Sequence, residues 1–191
     1  MTDTKNIILS ASLELFAMKG FSGVSTREIA HKSNANLSAI SYHFGSKKGL
    51  YKEILLYCFS FVESIIKSAP NNPLKALTHY ALKMGELHRQ KPFIARFIII
   101  NIIEHNTFMS DNIEKCRQKL YTFLKTHFEN GINSGIFRKD LDINATIVSF
   151  VCVVNFYFAL RHFGGLPSEF GSLEQIYSQN SIDIFFNGIK A

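Results

Sequence analysis

Residues 25 to 50 read STREIAHKSNANLSAISYHFGSKKGL and contain two short helical patterns separated by a tight turn. Ser25 and Glu28 have the S-x-x-E spacing of a capping box, which predicts that a helix begins here. The pattern breaks at residues 33 to 35, where Asn34 tolerates the left-handed backbone conformation that a tight turn needs. The stretch therefore predicts a helix-turn-helix arrangement.

The second helix of this pair is predicted to begin after Asn36, whose side chain is a good N-terminal cap, and to run to about His43. Ile40 and Phe44 are spaced four residues apart, so they lie on one face of the helix and are expected in the core. The other residues of this helix are free to form an outward face.

Two lysines, Lys47 and Lys48, open the next helix, which Ser46 is predicted to cap. The helix dipole puts partial positive charge at this end, so each lysine there costs roughly a few tenths of a kcal/mol. A phosphate anion at the same helix start is attracted by the dipole and by the lysines together. The arrangement therefore indicates a phosphate contact.

Helical spacing dominates the remainder of the chain, and strand-like alternation is scarce. The predicted fold class is all-α, with about nine helices. A three-helix helix-turn-helix domain covers residues 1 to 46, and a helical bundle covers residues 47 to 191. Outside the motif the helices are predicted at about 3 to 19, 46 to 68, 73 to 90, 92 to 105, 110 to 134, 144 to 163 and 173 to 189.

Composition places the chain among proteins that fold around a core. Hydrophobic residues make up 47% of its 191 residues, and the net charge of +6 suits a polyanionic partner without demanding one. An odd count of three cysteines without metal spacing indicates reduced thiols, and no signal peptide is evident, so a cytoplasmic protein is expected. The apolar stretch 147 to 160 is short for a membrane span and predicts a buried or subunit-contact helix.

Motifs of catalysis are missing from the sequence. It contains no G-x-S-x-G elbow, no P-loop and no Rossmann fingerprint, and its histidines show no HxxxH or HxxH pairing. We therefore predict no catalytic residues, no cofactor and no metal site.

The segment from Ile8 to Leu50 resembles the DNA-binding domain of the TetR-like transcriptional regulators. Within it, the turn reads Ser-Asn-Ala where the family often has Ala-Gly-Val, and Ser41 stands where an aromatic residue is common. The residues that carry the resemblance are Ile8-Leu9, Ala11, Leu15-Phe16, Gly20-Phe21, Ser25-Thr26-Arg27-Glu28-Ile29-Ala30, Tyr42-His43-Phe44, Lys47 and Leu50.

The resemblance implies an all-helical homodimer that binds a palindromic operator through its three N-terminal helices. Residues expected to contact the DNA backbone are Thr26, Arg27, Tyr42, Lys47 and Lys48. Residues expected at base edges are Leu37, Ser38, Ala39, Ser41 and His43. None of the latter is Arg, Lys, Asn or Gln, so sequence readout is expected to depend on several weak contacts and on DNA shape.

The resemblance also implies that the remaining helices bind a small effector and form the dimer through the last two helices. The Phe- and Ile-rich sequence favours an apolar or amphipathic effector. Candidate effector-binding residues are Phe97, Asn101, His105, Tyr121, Asn155 and Phe158. Candidate dimer-interface residues are Val153, Phe156, Ile176, Ile182, Phe185 and Phe186.

These expectations describe a ligand-responsive DNA-binding regulator, most simply a repressor that a small effector releases from its operator. The alternative is a helical-bundle carrier of small molecules without sequence-specific DNA binding. The basic residues gathered in the N-terminal motif favour the regulator, because a carrier has no use for them there.

Overall fold

A computed structural model describes residues 4–103 and 111–191 of the chain. Nine α-helices lie in these residues, together with one short 3-10 helix, Ser168–Leu173, and a single isolated β-bridge. The all-α fold class is thereby confirmed. The helices are α1 Thr4–Lys19, α2 Thr26–Ser33, α3 Leu37–Phe44, α4 Lys47–Lys67, α5 Pro73–Gln90, α6 Pro92–Ile103, α7 Asp111–Asn133, α8 Ile143–His162 and α9 Glu174–Ile189.

The helix starts around the motif use the predicted caps. The Ser25 hydroxyl accepts a hydrogen bond from the Glu28 backbone N–H at 3.1 Å, and the Asn36 side chain accepts one from Ala39 at 2.7 Å. Between α2 and α3, Asn34 takes the left-handed conformation with φ of +49°. These local signals fix both short helices, because each cap satisfies a backbone donor that the helix itself leaves unpaired.

The chain divides into two compact units, and one division falls within α4. Of the described residues, the first unit contains 4–60, 93–103 and 111–114, and the second contains 61–92 and 115–191. The three-helix motif lies in the first unit together with residues 47–60 of α4 and residues 93–103 of α6.

Aromatic side chains form the centre of the first unit. The Tyr51 ring lies 5.0 Å from the Phe16 ring and 5.0 Å from the Phe97 ring, measured between centroids. The Tyr51 hydroxyl donates a hydrogen bond to the Asn101 side chain at 2.9 Å. Helix α6 is buried on nearly every described face, as its all-round apolar sequence predicts, and it packs inside this unit.

The second unit has its core between α5, α8 and α9, with Phe128, Phe137, Phe150 and Phe186 in ring contact. Gly85 permits a close approach of α5 and α9, because a Cβ atom at this position would lie 2.2 Å from the Ser178 hydroxyl. Among the described helices, α8 alone meets the length and composition expected of a membrane span, criteria that core helices of soluble proteins also meet.

Candidate functional site

Helix α3 presents a distinct outer face. Ile40 and Phe44 are buried, as predicted, and hold the helix against its neighbours. On the opposite side Ser38 and Ser41 are exposed, and Tyr42 projects outward with 85% of its surface exposed. A helix held in this way, with its outer side chains uncovered, has the geometry of a reading helix in a helix-turn-helix.

The outer face of α3 forms one side of a shallow depression. Its lining includes Thr4 of α1, which the sequence pattern did not single out because nothing local distinguishes it. The Ser38 hydroxyl donates a hydrogen bond to the Asn36 side chain at 2.8 Å, so its oxygen lone pairs point away from the cap and remain able to accept. The lining residues are Thr4, Asn36, Ser38, Ala39, Tyr42 and His43.

Lys47 has an internal role that the sequence did not reveal. Its ammonium donates hydrogen bonds to the backbone carbonyls of Phe21 at 2.8 Å and Val24 at 2.7 Å, and it lies 4.2 Å from the centre of the Phe21 ring. The lysine thereby ties the start of α4 to the loop between α1 and α2. An ammonium has three donors, so one remains for the predicted phosphate contact.

The other predicted backbone-contact residues lie at helix starts. Arg27 is exposed in the first turn of α2, beside the half-buried Thr26, and Lys48 is exposed in the first turn of α4. Three further lysines of this unit have glutamate partners, which neutralise part of the charge nearby. These ion pairs are Lys5–Glu53, Lys19–Glu28 and Lys32–Glu14.

Two of the candidate effector residues, Phe97 and Asn101, lie in the core of the first unit. The Asn101 side chain accepts from Tyr51 and donates to the Phe97 carbonyl at 2.8 Å, so it has partners on both sides within the chain. These internal hydrogen bonds account for the burial of the Asn101 side chain, so no bound ligand is needed to explain it. His105 lies outside the described residues.

Two others, Asn155 and Phe158, surround His88 in the second unit. The Phe158 ring stacks on the His88 ring at 4.3 Å, and the Asn155 side-chain oxygen lies 3.1 Å from His88 Nε2. Since the Asn155 amide nitrogen donates to the Val151 carbonyl, its oxygen is the acceptor, and His88 Nε2 carries the proton. Burial lowers the pKa of His88 to about 4, against the opposing effect of the Asn155 hydrogen bond.

The last candidate, Tyr121, is at the surface of α7, where its hydroxyl donates to the Asn144 side chain at 3.0 Å. Asn144 precedes Asn155 by eleven positions in α8, a separation of about 16 Å along a helix axis. Tyr121 therefore contacts the start of α8, distant from Asn155, and the two residues do not share one pocket wall. Among the described residues, no group of three potential metal ligands comes together.

The second unit contains a groove that the sequence did not indicate, with a volume of about 590 Å³. It lies between the end of α4 and the first half of α7, and we call it the α4–α7 groove. The lining residues are Glu63, Ile66, Lys67, Lys115, Gln118, Lys119, Thr122 and Phe123.

The predicted dimer residues differ in how far the fold exposes them. Ile182 and Phe186 are 1% and 4% exposed, because they belong to the core of their own unit, so they offer little surface to a second subunit. Val153 and Phe185 are half-buried, whereas Phe156 and Ile176 are exposed. The sequence missed two strongly exposed apolar residues on the same helices, Val148 and Ile184.

Comparison with known proteins assigns both parts of the chain. The profile of "Bacterial regulatory proteins, tetR family" matches residues 8–54, and that of "Tetracyclin repressor-like, C-terminal domain" matches residues 73–166. The first match covers the helix-turn-helix and its supporting helices. The second extends from α5 to beyond α8.

Individual relatives agree with these matches. YvkB of Bacillus subtilis, an uncharacterized helix-turn-helix transcriptional regulator, is 27% identical to this chain over 199 residues. The alignment covers 100% of both proteins. IcaR of Staphylococcus aureus, the negative transcriptional regulator of the biofilm operon icaADBC, is 33% identical over 67 residues, which are 35% of this chain and 36% of IcaR.

A solved structure shows the same fold over nearly the whole chain. The structure of AibR with isovaleryl coenzyme A and operator DNA superposes with a TM-score of 0.81 at 21% identity, covering 96% of this chain and 98% of that one.

A helix-turn-helix with an uncovered reading helix, joined to a helical bundle, defines a DNA-binding transcriptional regulator. The chain belongs to the TetR family of bacterial regulatory proteins. This is not a family of enzymes, and its members are in general soluble cytoplasmic proteins that bind operator DNA and small ligands as dimers.

Proposed function

We propose that the protein is a homodimeric repressor that binds a palindromic operator through α3 and is released from it by a small effector. The observation that carries this proposal is the outer face of α3, which exposes Ser38, Ser41 and Tyr42 while Ile40 and Phe44 anchor the helix. A helix of this kind fits the major groove of B-form DNA.

The docking that we propose places the start of α2 and the start of α4 against the phosphates. Arg27 and Lys47 supply positive charge there, and the helix N-termini add their partial charge. The bases are then read by side chains that form single hydrogen bonds or apolar contacts. Ser38 can accept and Ser41 can donate or accept at base edges, and Ala39 can contact a thymine methyl group.

The dimer that we propose forms through the exposed apolar residues of α8 and α9. Val148 and Phe156 follow each other at helical spacing on α8, and Ile176 and Ile184 do so on α9. An apolar patch of this kind on an otherwise folded surface favours burial against a second apolar surface. Two-fold symmetry then places two reading helices about 34 Å apart on a palindromic site.

Release by an effector follows if the ligand prefers a conformation in which the two reading helices no longer match successive major grooves. The second unit offers the space for such a ligand. We place the protein in the cytoplasm, where both the operator and small metabolites are available to it.

The decisive experiment selects bound fragments from the source genome and then titrates salt against the binding of the selected fragment. Three phosphate contacts per subunit give a dimer a slope of about −5 in a plot of log K against log salt concentration. An undetectable or salt-independent response would favour the small-molecule carrier instead.

A further inference from the structure

The α4–α7 groove is formed by one face of each of its two helices. Glu63, Ile66 and Lys67 follow one another on α4 at the spacing of one helical face, and five residues of α7 from Lys115 to Phe123 do the same. Its volume of about 590 Å³ is within the range of about 300–1,000 Å³ that small-molecule sites occupy.

The wall of the groove is mostly apolar. Ile66 and Phe123 are half-buried and face it, and the aliphatic parts of its lysines extend the same surface. The Phe123 ring is itself supported from behind, since its centroid lies 4.6 Å from that of His127 and 6.0 Å from that of Tyr80. The groove therefore offers a fixed apolar surface to a ligand.

The charged groups of the groove are predominantly positive. Three lysines, Lys67, Lys115 and Lys119, line it with a single carboxylate, Glu63. Glu63 accepts hydrogen bonds from the Lys119 ammonium at 2.9 Å and from the Cys116 thiol at 3.3 Å. The hydrogen bond from Lys119 lowers the pKa of Glu63, so this carboxylate stays ionised and occupies one of the three ammonium groups.

Two lysines, Lys67 and Lys115, thus carry charge in excess of the carboxylate. Along α7, Lys115 and Phe123 are eight residues apart, which corresponds to about 12 Å. A ligand with a negative head and an apolar tail of comparable length would satisfy both ends. A cationic head would be repelled, and a neutral head would gain only the apolar contact.

We propose that the α4–α7 groove binds an amphipathic aliphatic carboxylic acid, with its carboxylate at Lys115 and its chain against Ile66 and Phe123. We further propose that such an acid is the effector, a step that rests on the proposed function. The sequence pointed to other residues because a groove between helices some 50 residues apart leaves no local pattern.

The test uses the full chain and isothermal titration calorimetry with three eight-carbon probes: octanoate, 1-octanol and octylamine. Octanoate is expected to bind more tightly than the other two. Lys115→Gln should weaken octanoate by about tenfold, the effect of losing one hydrogen bond to a charged group, and leave 1-octanol unchanged. Phe123→Ala should weaken both probes.

Lys125→Gln is the matched control, because Lys125 lies on α7 outside the groove and is paired at the surface with Glu129. It should bind octanoate as the unchanged protein does. Equal affinity for all three probes, no heat from octanoate at millimolar concentration, or equal effects of Lys115→Gln and Lys125→Gln would each overturn the site.

Operator binding is measured in the same samples. Octanoate that occupies the groove and lowers operator affinity supports the effector role, and octanoate that binds without changing operator affinity overturns that role. If the protein binds no operator even without octanoate, the proposed function fails, while calorimetry still decides the groove.

Discussion

Helices α3 and α8 expose opposite chemistry. Helix α3 buries Ile40 and exposes hydroxyl groups such as that of Tyr42, whereas α8 exposes Val148 and Phe156 and turns Asn155 towards a buried histidine. A polar outer face suits a hydrated polyanion, since interfaces with DNA are polar and wet. An apolar outer face suits another protein surface, whose contact core excludes water. The partner of each helix is therefore indicated by the side chains that the fold leaves outside.

The largest effect is expected from placing charge on the outer face of α8. Phe156→Glu should dissociate the dimer and lower operator affinity by about 10²–10⁴-fold, because the two half-sites then no longer bind as one linked unit. The fold should survive, since Phe156 is 60% exposed. Sedimentation velocity and operator titration measure both outcomes.

Met18→Glu is the control for this variant, because Met18 is a similarly exposed apolar residue on α1 of the first unit. It adds the same charge without touching α8 and should leave the dimer intact. A Phe156→Glu protein that still sediments as a dimer at micromolar concentration would remove α8 from the interface.

The inner side of α8 should make stability dependent on pH. The pKa of His88 is lowered to about 4, so the unfolded chain binds a proton that the folded chain does not. The stabilisation that depends on a neutral His88 is fully present above the unfolded pKa of about 6.5. It is lost as pH falls towards 4, which lowers the free energy of unfolding by about 3 kcal/mol in total. Urea unfolding at several pH values measures it.

His88→Gln should flatten the part of this dependence that lies between pH 6.5 and 4, whatever its effect on stability at neutral pH. His31→Gln, at an exposed position on α2, is the control and should keep the slope of the unchanged protein. Identical slopes for both variants would contradict a neutral His88 in the folded chain.

Substitutions at two basic residues near α3 should distinguish a contribution to stability from a contribution to DNA binding. Lys47→Ala removes a charged donor from the Phe21 and Val24 carbonyls and should cost about 2 kcal/mol of unfolding free energy, as well as operator affinity. Arg27→Ala should lower operator affinity with a change in stability below about 0.5 kcal/mol.

Thermal unfolding and salt-dependent DNA titration distinguish these two variants. Each should reduce the affinity for all DNA sequences alike, because a phosphate contact carries no sequence information. If Lys47→Ala unfolds like the unchanged protein, the carbonyl contacts do not stabilise the motif.

The smallest effect is expected on the outer face of α3 itself. Ser38→Ala should alter preference at one base pair of each half-site by about 1 kcal/mol, since a single serine contact is weak. Ser10→Ala, at an exposed position on α1, should not alter it. Selection of bound sequences with each variant measures the change, and an unaltered consensus would take Ser38 out of the base-reading set.

The local features of the fold were predictable from the sequence. The caps at Ser25 and Asn36 and the turn at Asn34 involve residues within a few positions of one another, so their signals lie in short stretches. The family resemblance rests on the same stretches and was confirmed with them. The contact residues on DNA remain predictions.

Features that depend on distant contacts could not be predicted. The carbonyl partners of Lys47 are 23 and 26 residues away in the chain. Helix α9 is apolar on more than one side, so the sequence did not show that Ile182 and Phe186 face the core while Ile184 faces outward. For the same reason the buried partner of Asn155, His88, was not recognised, since 67 positions separate them.

The position of Lys47 has a consequence for the thermodynamics of docking. A free lysine side chain loses up to about 2 kcal/mol of conformational entropy when it is fixed in one place. The carbonyls of Phe21 and Val24 already fix this one when the chain folds, so that loss does not recur when DNA arrives. The proposed phosphate contact is therefore preorganised, and the free energy it contributes goes into affinity.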